Sequence, residues 1–286
     1  MISFFPYAAQ LSSTAVPLLS VALCACGGSS SRTEVDASPS EDAGSNSETA
    51  IISAYYGLDQ LPVGVGVICG PAAVGEDGMP VTFSVRLSDS TVSPEAFAVE
   101  TATGEVVTPV CATLQPANEP LEQRTVLLAG PFGTPDAQPR AVEVVGQLED
   151  VSGNSLRDLS TDTITPLEAG PSVLLAERFD PNTAGLSGEC PAGTEQVVQL
   201  TWDGGVTGPN GAALGDEQRT SVSVTLSNDQ QLSPVALADD DPDNIVLVCL
   251  DTTTVARSVT VQAGQFHDPG DDPNLETSVA VVPGVP

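Results

Sequence analysis

Apolar residues in this chain come in short runs that alternate with polar residues, and glycine and proline separate the runs. In Val81–Leu87 and Val222–Leu226 every second residue is apolar, the pattern of a strand with one face in a core. Ile245–Leu250 is apolar throughout, which is typical of a central strand buried on both faces. No segment has the apolar period of a helix of ordinary length. The chain is therefore predicted to be all-β.

The number and spacing of these runs favour sandwiches rather than one large sheet. About seven short strands in each 110–120 residues, with turns every 8–12 residues or so, are typical of a β-sandwich. We therefore expect one sandwich domain in 51–165 and a second in 166–286. Further strands are predicted at 96–100, 105–111, 125–129, 141–145, 172–177, 198–202, 258–262 and 278–282.

The charge balance excludes several classes of partner. The chain has 38 Asp and Glu against 8 basic residues, all of them Arg, and a formal charge of −30. Nucleic acids and anionic membrane surfaces are bound by Lys and Arg, so we expect no nucleic-acid partner. An acidic surface of this kind favours solubility and attracts cations such as Ca²⁺.

The N-terminal residues predict export. An apolar run over Ala15–Leu23 leads into Leu23-Cys24-Ala25-Cys26, followed by Gly and Ser. The run is shorter than the roughly 20 apolar residues of a membrane span. These residues resemble the lipobox of bacterial lipoproteins, with Leu three positions before Cys26 and a small residue directly before it.

The resemblance implies a signal peptide over 1–25 and a lipid on Cys26, and hence a lipoprotein of the outer membrane or cell surface, on its periplasmic or extracellular face. No Lys or Arg precedes the apolar run, which departs from the usual positive start of an export signal. Plain secretion and an uncleaved N-terminal anchor therefore stay open. Residues 26–50 have almost no large apolar side chains, which predicts a flexible tether.

Four further cysteines, an even number in an exported chain, predict two disulfides. Cys69, Cys111, Cys190 and Cys249 allow three pairings. An internal repeat selects Cys69–Cys111 and Cys190–Cys249, one bridge in each copy. Its matching segments are 93–99 with 233–239, 110–111 with 248–249, and 124–132 with 257–266.

The spacing of Cys190, Trp202 and Cys249 resembles that of immunoglobulin domains. The Ser93-Pro94-Glu95-Ala96-Phe97 step with its following strand is similar to bacterial Ig-like modules of surface proteins. Both resemblances imply an Ig-like sandwich and, since a fold does not define an activity, no function.

Catalytic signatures are sparse. The chain has one histidine, His267, and no Gly-x-Ser-x-Gly motif, so a nucleophilic triad is not expected. Acidic residues are abundant, but no pair stands out as the two carboxylates of a glycosidase. We therefore predict that the protein is not an enzyme.

Two acidic loops are candidate Ca²⁺ sites. Asp239, Asp241 and Asp243 alternate within 239–244, as oxygen ligands do in Ca²⁺ loops. Asp268 and Asp271 lie after a later strand and are expected to come close to them. The alternative interpretation is that Asp, Pro, Asn and Gly form ordinary turns here. Both interpretations stay open from the sequence.

Together these features predict a non-catalytic envelope lipoprotein, a spacer or an adhesion or binding module, stiffened by Ca²⁺ if the acidic loops bind it. The membrane is the expected partner through the lipid, and a protein or glycan ligand is left undefined. The alternative is a carboxylate-based extracellular hydrolase or an accessory subunit of an envelope complex.

Overall fold

The structure, a computed structural model, describes residues 49–238 and 243–286, which form sixteen strands in two sandwiches. The strands of the first are β1 (Ile51–Ala54), β2 (Asp77–Phe83), β3 (Phe97–Glu100), β4 (Val106–Val107), β5 (Cys111–Thr113), β6 (Thr125–Gly130), β7 (Ala141–Val144) and β8 (Ser160–Thr161). Those of the second are β9 (Val173–Phe179), β10 (Gln196–Trp202), β11 (Val222–Leu226), β12 (Gln231–Leu232), β13 (Ala236–Ala238), β14 (Ile245–Leu250), β15 (Ala256–Val261) and β16 (Thr277–Pro283).

Helices in these ranges are short. The α-helices are α1 (Gly66–Cys69) and α2 (Asp216–Ser221). Single 3-10 turns occur at Val63–Val65, Pro71–Ala73, Asp89–Thr91, Pro94–Ala96 and Pro209–Gly211. Within the described ranges no helix is long and apolar enough to cross a bilayer.

Both sandwiches have the same strand order, that of an Ig-like fold. In the first, the sheets run β1-β2-β6-β5 and β4-β3-β7-β8. In the second, the corresponding halves run β9-β10-β14-β13 and β12-β11-β15-β16, and β16 joins them because Val281–Pro283 pairs in parallel with β9. The parallel bridge between Tyr55 and Thr165 occupies the equivalent place in the first sandwich. The all-β, Ig-like prediction is confirmed.

The disulfide pairing is confirmed, but the alignment of the repeat that selected it is wrong. Cys69 bonds Cys111 and Cys190 bonds Cys249. Cys111 lies on β5, the fifth strand of its sandwich, whereas Cys249 lies on β14, the sixth. The alignment likewise matched β3 with β13, although β3 corresponds to β11 in the sheet order.

The two disulfides lie at similar places although their second cysteines are on different strands of the fold, because those two strands are neighbours in the sheet. In both sandwiches the first cysteine lies in the connection that leads into the second strand. Cys111 on β5 is opposite Ala129 on β6, and Cys249 on β14 is opposite Ala236 on β13. The two bridges therefore reach neighbouring positions across the same pair of strands.

Each sandwich has its own apolar core. Met79, Val81 and Phe83 of β2 are among the buried residues of the first. The second is built around Trp202, whose ring lies 4.8 Å from that of Phe266 between the ring centroids. Met79, Val81, Phe83 and Trp202 occupy inward-facing positions at every second residue of β2 and β10, which is the pattern that predicted these strands.

Most predicted strands agree with the structure to within two residues at each end, but two do not. Val81–Leu87 was expected to be one strand, but β2 begins at Asp77 and ends at Phe83. Its start is stabilised by Asp77, whose carboxylate accepts from the N–H groups of Phe132 (2.7 Å) and Gly133 (2.9 Å). Residues 105–111 divide into β4 and the start of β5, which belong to different sheets. Pro109 between them has no N–H for a ladder bond.

Candidate functional site

The main feature that joins the two sandwiches is a loop of the first laid on a sheet of the second. Residues 114–124 (the covering loop) connect β5 to β6. Ala117 in this loop packs in one cluster with Val197, Ile245 and Leu247, on the outward face of β10 and β14. The Gln199 side chain donates to the carbonyl of Leu121 (2.9 Å). Every residue of β10 and β14 is consequently buried, as the continuous apolar run of Ile245–Leu250 predicted.

A buried ion pair connects the sandwiches beside the covering loop. Arg124 donates through Nε and Nη2 to the two carboxylate oxygens of Glu177 on β9, at 3.1 and 2.8 Å. Its Nη1 donates to the carbonyl of Ser84 (2.6 Å). Arg124 is 8% and Glu177 5% exposed. Such a two-pronged pair fixes orientation as well as distance.

A second contact between the sandwiches joins the side chains of Asn244 and Thr125. The Asn244 amide donates to the Thr125 hydroxyl of β6 (2.9 Å) and to the carbonyl of Trp202 (2.8 Å). Thr125 also shares a hydrogen bond with Thr82 on β2 (3.0 Å). All of these groups are buried, and losing one partner would leave the other without a bond.

Tyr55 makes the third contact, at the end of β1. Its hydroxyl lies 2.6 Å from Asp268 Oδ2 and 2.5 Å from the carbonyl of Ala169. Burial and the nearby Asp268 carboxyl raise the pKa of Tyr55 far above its usual range. Burial likewise raises the pKa of Asp268. Together with Arg124–Glu177 and Asn244–Thr125, this pair defines what we call the junction.

A cleft of about 160 Å³ opens at the junction. Its walls come from both sandwiches and are mostly apolar, with polar groups contributed by Gln115, Thr125, Asp243 and Asn244. Among the described residues, Asp243 is the one carboxyl group in the lining, and its Oδ1 accepts from the N–H of Ile245 (2.6 Å).

Two other buried carboxyl groups at the junction have raised pKa values. Burial raises the pKa of Asp203 to about 6, although the N–H of Ser172 donates to it (2.8 Å). Burial raises the pKa of Glu122, in the covering loop, to about 9, and the Ser187 hydroxyl donates to its Oε1. Neither residue lines the cleft. A carboxyl group whose pKa is raised in the folded protein makes the free energy of unfolding depend on pH.

The residues predicted to bind Ca²⁺ are only partly described. Cys26, Asp239 and Asp241 lie outside the described residues. Asp268 accepts from the N–H of Asp272 (2.7 Å) in addition to its contact with Tyr55. Asp271 Oδ1 accepts from the N–H of Asn210 (2.7 Å) and lies 2.8 Å from His267 Nδ1.

Among the residues that the structure describes, no group of three or more His, Cys, Asp or Glu side chains is arranged to hold a metal ion. The described candidates instead make hydrogen bonds within the protein. Ca²⁺ binding stays a prediction that concerns the loop 239–243 above all.

None of the three junction pairs was predicted from the sequence, although Asp268 was named there as a candidate Ca²⁺ ligand. Arg124 and Glu177 are 53 positions apart, and Tyr55 and Asp268 are 213 apart. One signal was available: Arg124 is one of only 8 basic residues in a strongly acidic chain. A rare cation directly before an apolar strand is a candidate for a buried pair.

Comparison with known proteins does not assign the chain to a family. No protein-family model and no curated protein matches the chain. The N-terminal part of the bacterial S-layer protein SbsC is similar to 82% of this chain, with 14% identity, a TM-score of 0.27 and 44% of its own length covered. SbsC domains 1–6 are similar over the same share, with 13% identity, a TM-score of 0.28 and 41% covered. The chain spans less than half of either structure, and scores this low carry no argument about function.

Proposed function

We propose that the protein is a non-catalytic lipoprotein of the bacterial cell envelope, anchored through Cys26, in which two Ig-like sandwiches form one stiff spacer or binding module. The junction is the observation that carries this proposal. Arg124–Glu177, Asn244–Thr125 and Tyr55–Asp268 are buried, directional contacts at separate points, so hinge motion between the sandwiches would break several of them together. A stiff body keeps the two sandwiches, and whatever each of them binds, at a fixed distance and orientation from each other.

The anchor is tested on the mature protein. We expect mass spectrometry to find an N-terminus at Cys26 that carries acyl chains, and Cys26→Ser to release the protein from membranes. Cys24→Ser is the matched control and should leave anchoring unchanged. A mature N-terminus at any other residue would refute the lipid anchor and favour plain secretion.

Stiffness is tested by small-angle X-ray scattering. The wild-type protein should fit one rigid body over residues 49–286, whereas Arg124→Met combined with Asn244→Leu should broaden the distance distribution. If the wild-type scattering requires an ensemble of sandwich orientations, the spacer proposal fails.

Ca²⁺ would add stiffness if the loop 239–243 binds it. We expect millimolar Ca²⁺ to raise the thermal midpoint above that in EDTA, and the combined change Asp241→Ala and Asp243→Ala to remove the increase. Equal midpoints with and without Ca²⁺ would leave these residues as turn formers.

A further inference from the structure

The covering loop carries a carboxyl group into the contact between the two sandwiches. Glu122 lies in this loop and is 1% exposed. Next to it, the carbonyl of Leu121 accepts from the Gln199 side chain of β10 (2.9 Å). Ser187, in the connection from β9 to β10, donates its hydroxyl to Glu122 Oε1. Glu122 is therefore buried where the covering loop meets two parts of the second sandwich.

Little in the structure would stabilise a negative charge on Glu122. Its second oxygen, Oε2, is buried and accepts no hydrogen bond from the residues that the structure describes. Within the same ranges Glu122 forms no ion pair. Arg124, two positions along, is paired with Glu177, and Arg86 donates to a backbone carbonyl of the covering loop (3.0 Å). A buried carboxylate with one hydroxyl donor and no cation is strongly destabilised.

Two neighbouring acidic residues also favour the neutral form of Glu122. The carboxyl group of Glu119, in the same loop, is within hydrogen-bonding reach, and Asp243, directly before β14, adds a negative charge nearby. Burial and like charges both favour the protonated form of a carboxyl group. Burial first, and then these neighbours, raise the pKa of Glu122 to about 9. As the acid, Glu122 has an O–H that can be donated to the Glu119 carboxylate, so the pair holds one proton.

We propose that the covering loop is a proton-dependent latch: Glu122 holds the loop on β10 as the neutral acid, and loss of its proton to solvent releases the loop. Ionisation in the closed loop would leave a buried charge without a partner, whereas opening lets water solvate the carboxylate. Opening would uncover the outward face of β10 and β14, where Ala117 packs with Val197 and Leu247. The latch adds a response to pH that the proposed function does not include, and it does not depend on the anchor at Cys26.

The two protonation equilibria of Glu122 give the direction of this response. In an opened loop the carboxyl group is in water, where glutamate has a pKa of roughly 4.3. In the closed loop the pKa is about 9. The closed loop is therefore most stable at low pH and loses stability as the pH rises from about 4 through 9. Between these values each opening releases one proton, so the equilibrium constant for opening should rise about tenfold per pH unit.

Hydrogen exchange of the full-length protein, followed by mass spectrometry between about pH 5 and pH 8, measures this dependence. The exchange rate is the product of the opening constant and the intrinsic rate, which is proportional to hydroxide concentration. A peptide from residues 117–124 should therefore exchange about a hundredfold faster per pH unit. Glu122→Gln keeps an oxygen for Ser187 but cannot ionise, and should reduce this dependence to about tenfold. Glu105→Gln, at an exposed position of the first sandwich, is the matched control and should behave as the wild-type protein.

Two further measurements show whether the opening is local and which group loses the proton. A peptide from β11, on the opposite half of the second sandwich, reports global unfolding, so the covering loop should exchange faster than β11. If Glu122→Gln does not fold, Glu119→Gln takes its place. This variant removes a neighbouring charge and lowers the pKa of Glu122, so the hundredfold dependence should give way to a tenfold one at a lower pH than in the wild-type protein.

Four outcomes would overturn the latch. A tenfold dependence in the wild-type protein would show that opening releases no proton. A hundredfold dependence that persists in Glu122→Gln, or that Glu119→Gln leaves unchanged, would assign the proton to another group. Equal exchange of the covering loop and β11 would show that the loop opens only on global unfolding. Protection of the loop by millimolar Ca²⁺ at pH 8, as complete as at pH 5, would assign these acidic groups to cation binding.

Discussion

At the scale of single residues, Arg124 is the junction residue that forms a buried ion pair between the two sandwiches. It binds Glu177 of the second sandwich and the Ser84 carbonyl of the first. A buried pair of this kind contributes little net stability compared with an apolar pair, but breaking it on one side leaves a buried charge without a partner. Its role is to define one arrangement of the two sandwiches.

Arg124→Met should therefore destabilise the protein by about 3–5 kcal/mol, because Glu177 is left as an unpaired buried charge. The free energy of unfolding is measured by urea titration. The double change Arg124→Met and Glu177→Leu should recover most of the loss. Arg257→Met removes an exposed pair with Asp229 and should cost at most about 1 kcal/mol. An equal loss for the Arg124 and Arg257 variants would show that the buried pair does not hold the junction.

We expect Asp203 to make the free energy of unfolding depend on pH. Its folded pKa of about 6 is raised by burial, above the usual value of roughly 3.9 for an unfolded chain. The folded state thus binds the proton more tightly, so the stability from this group is complete below about pH 4 and is lost as the pH rises through 6. The contribution of Asp203 to the free energy of unfolding is at most about 3 kcal/mol.

Asp203→Asn keeps an oxygen to accept from Ser172 but cannot ionise. We expect the unfolding free energy of this variant to fall less between pH 4 and pH 7 than that of the wild-type protein. Urea titrations at several pH values measure it, with Glu276→Asn, an exposed position, as the control. Parallel curves for the wild-type protein and Asp203→Asn would contradict the raised pKa.

At the scale of elements, the two disulfides have different tasks. Cys190–Cys249 attaches the connection before β10 to β14, a strand buried on both faces. Cys69–Cys111 attaches residues 60–75 (the apolar loop), which connect β1 to β2 and contain no charged residue, to the short strand β5. The first reinforces a strand that is already well packed. The second joins β5 to a loop without strands, in which Leu61, Val65 and Ala73 are buried beside the bridge.

Replacing Cys69 and Cys111 together by Ala should cost about 2–5 kcal/mol and make the apolar loop the first site of proteolysis. Limited digestion followed by mass spectrometry locates the cut. In the variant with Ala at Cys190 and Cys249, a comparable loss of stability is expected without cleavage in residues 60–75. If both variants are cut in the same place, the disulfide does not determine the position of the apolar loop.

At the scale of the whole molecule, the described residues all belong to one unit that spans Asn46–Pro286. The covering loop packs on both sandwiches: Leu114 lies in the core of the first and the N–H of Leu87 donates to the carbonyl of Gln123, while Ala117 packs on the sheet of the second. The second sandwich therefore completes the burial of its sheet with residues of the first, and we expect the two to unfold together.

Differential scanning calorimetry of the wild-type protein should show one transition. Leu121→Ser and Ala117→Asp combined remove the apolar contact of the covering loop and should separate the scan into two transitions. Val63→Ser and Val67→Ser combined, in the apolar loop, are the control and should leave a single transition. Two transitions in the wild-type protein would mean that the sandwiches fold independently.

The alternation of apolar residues was sufficient to predict the all-β class and many of the strands, because inward-facing positions recur at every second residue. It misplaced the start of β2, where a buried Asp77 at the strand end looks like a turn residue. It also could not separate β4 from β5. The chain changes sheet near Pro109 because β4 pairs with β3 whereas β5 pairs with β6, and alternation carries no information about pairing.

By itself the sequence determined the fold class, the number of sandwiches and the charged or apolar character of each segment, because these depend on local pattern and on residue type. The disulfide pairs were predicted correctly, but from a repeat alignment that the strand order does not support. Only the tertiary structure decided the strand correspondence between the sandwiches, the junction and the outward position of Val63 and Val67. Those depend on pairs such as Tyr55 with Asp268, 213 positions apart, which are adjacent only after both cores have formed. No local sequence pattern predicts such a contact, because it forms only when the two folded sandwiches pack against each other.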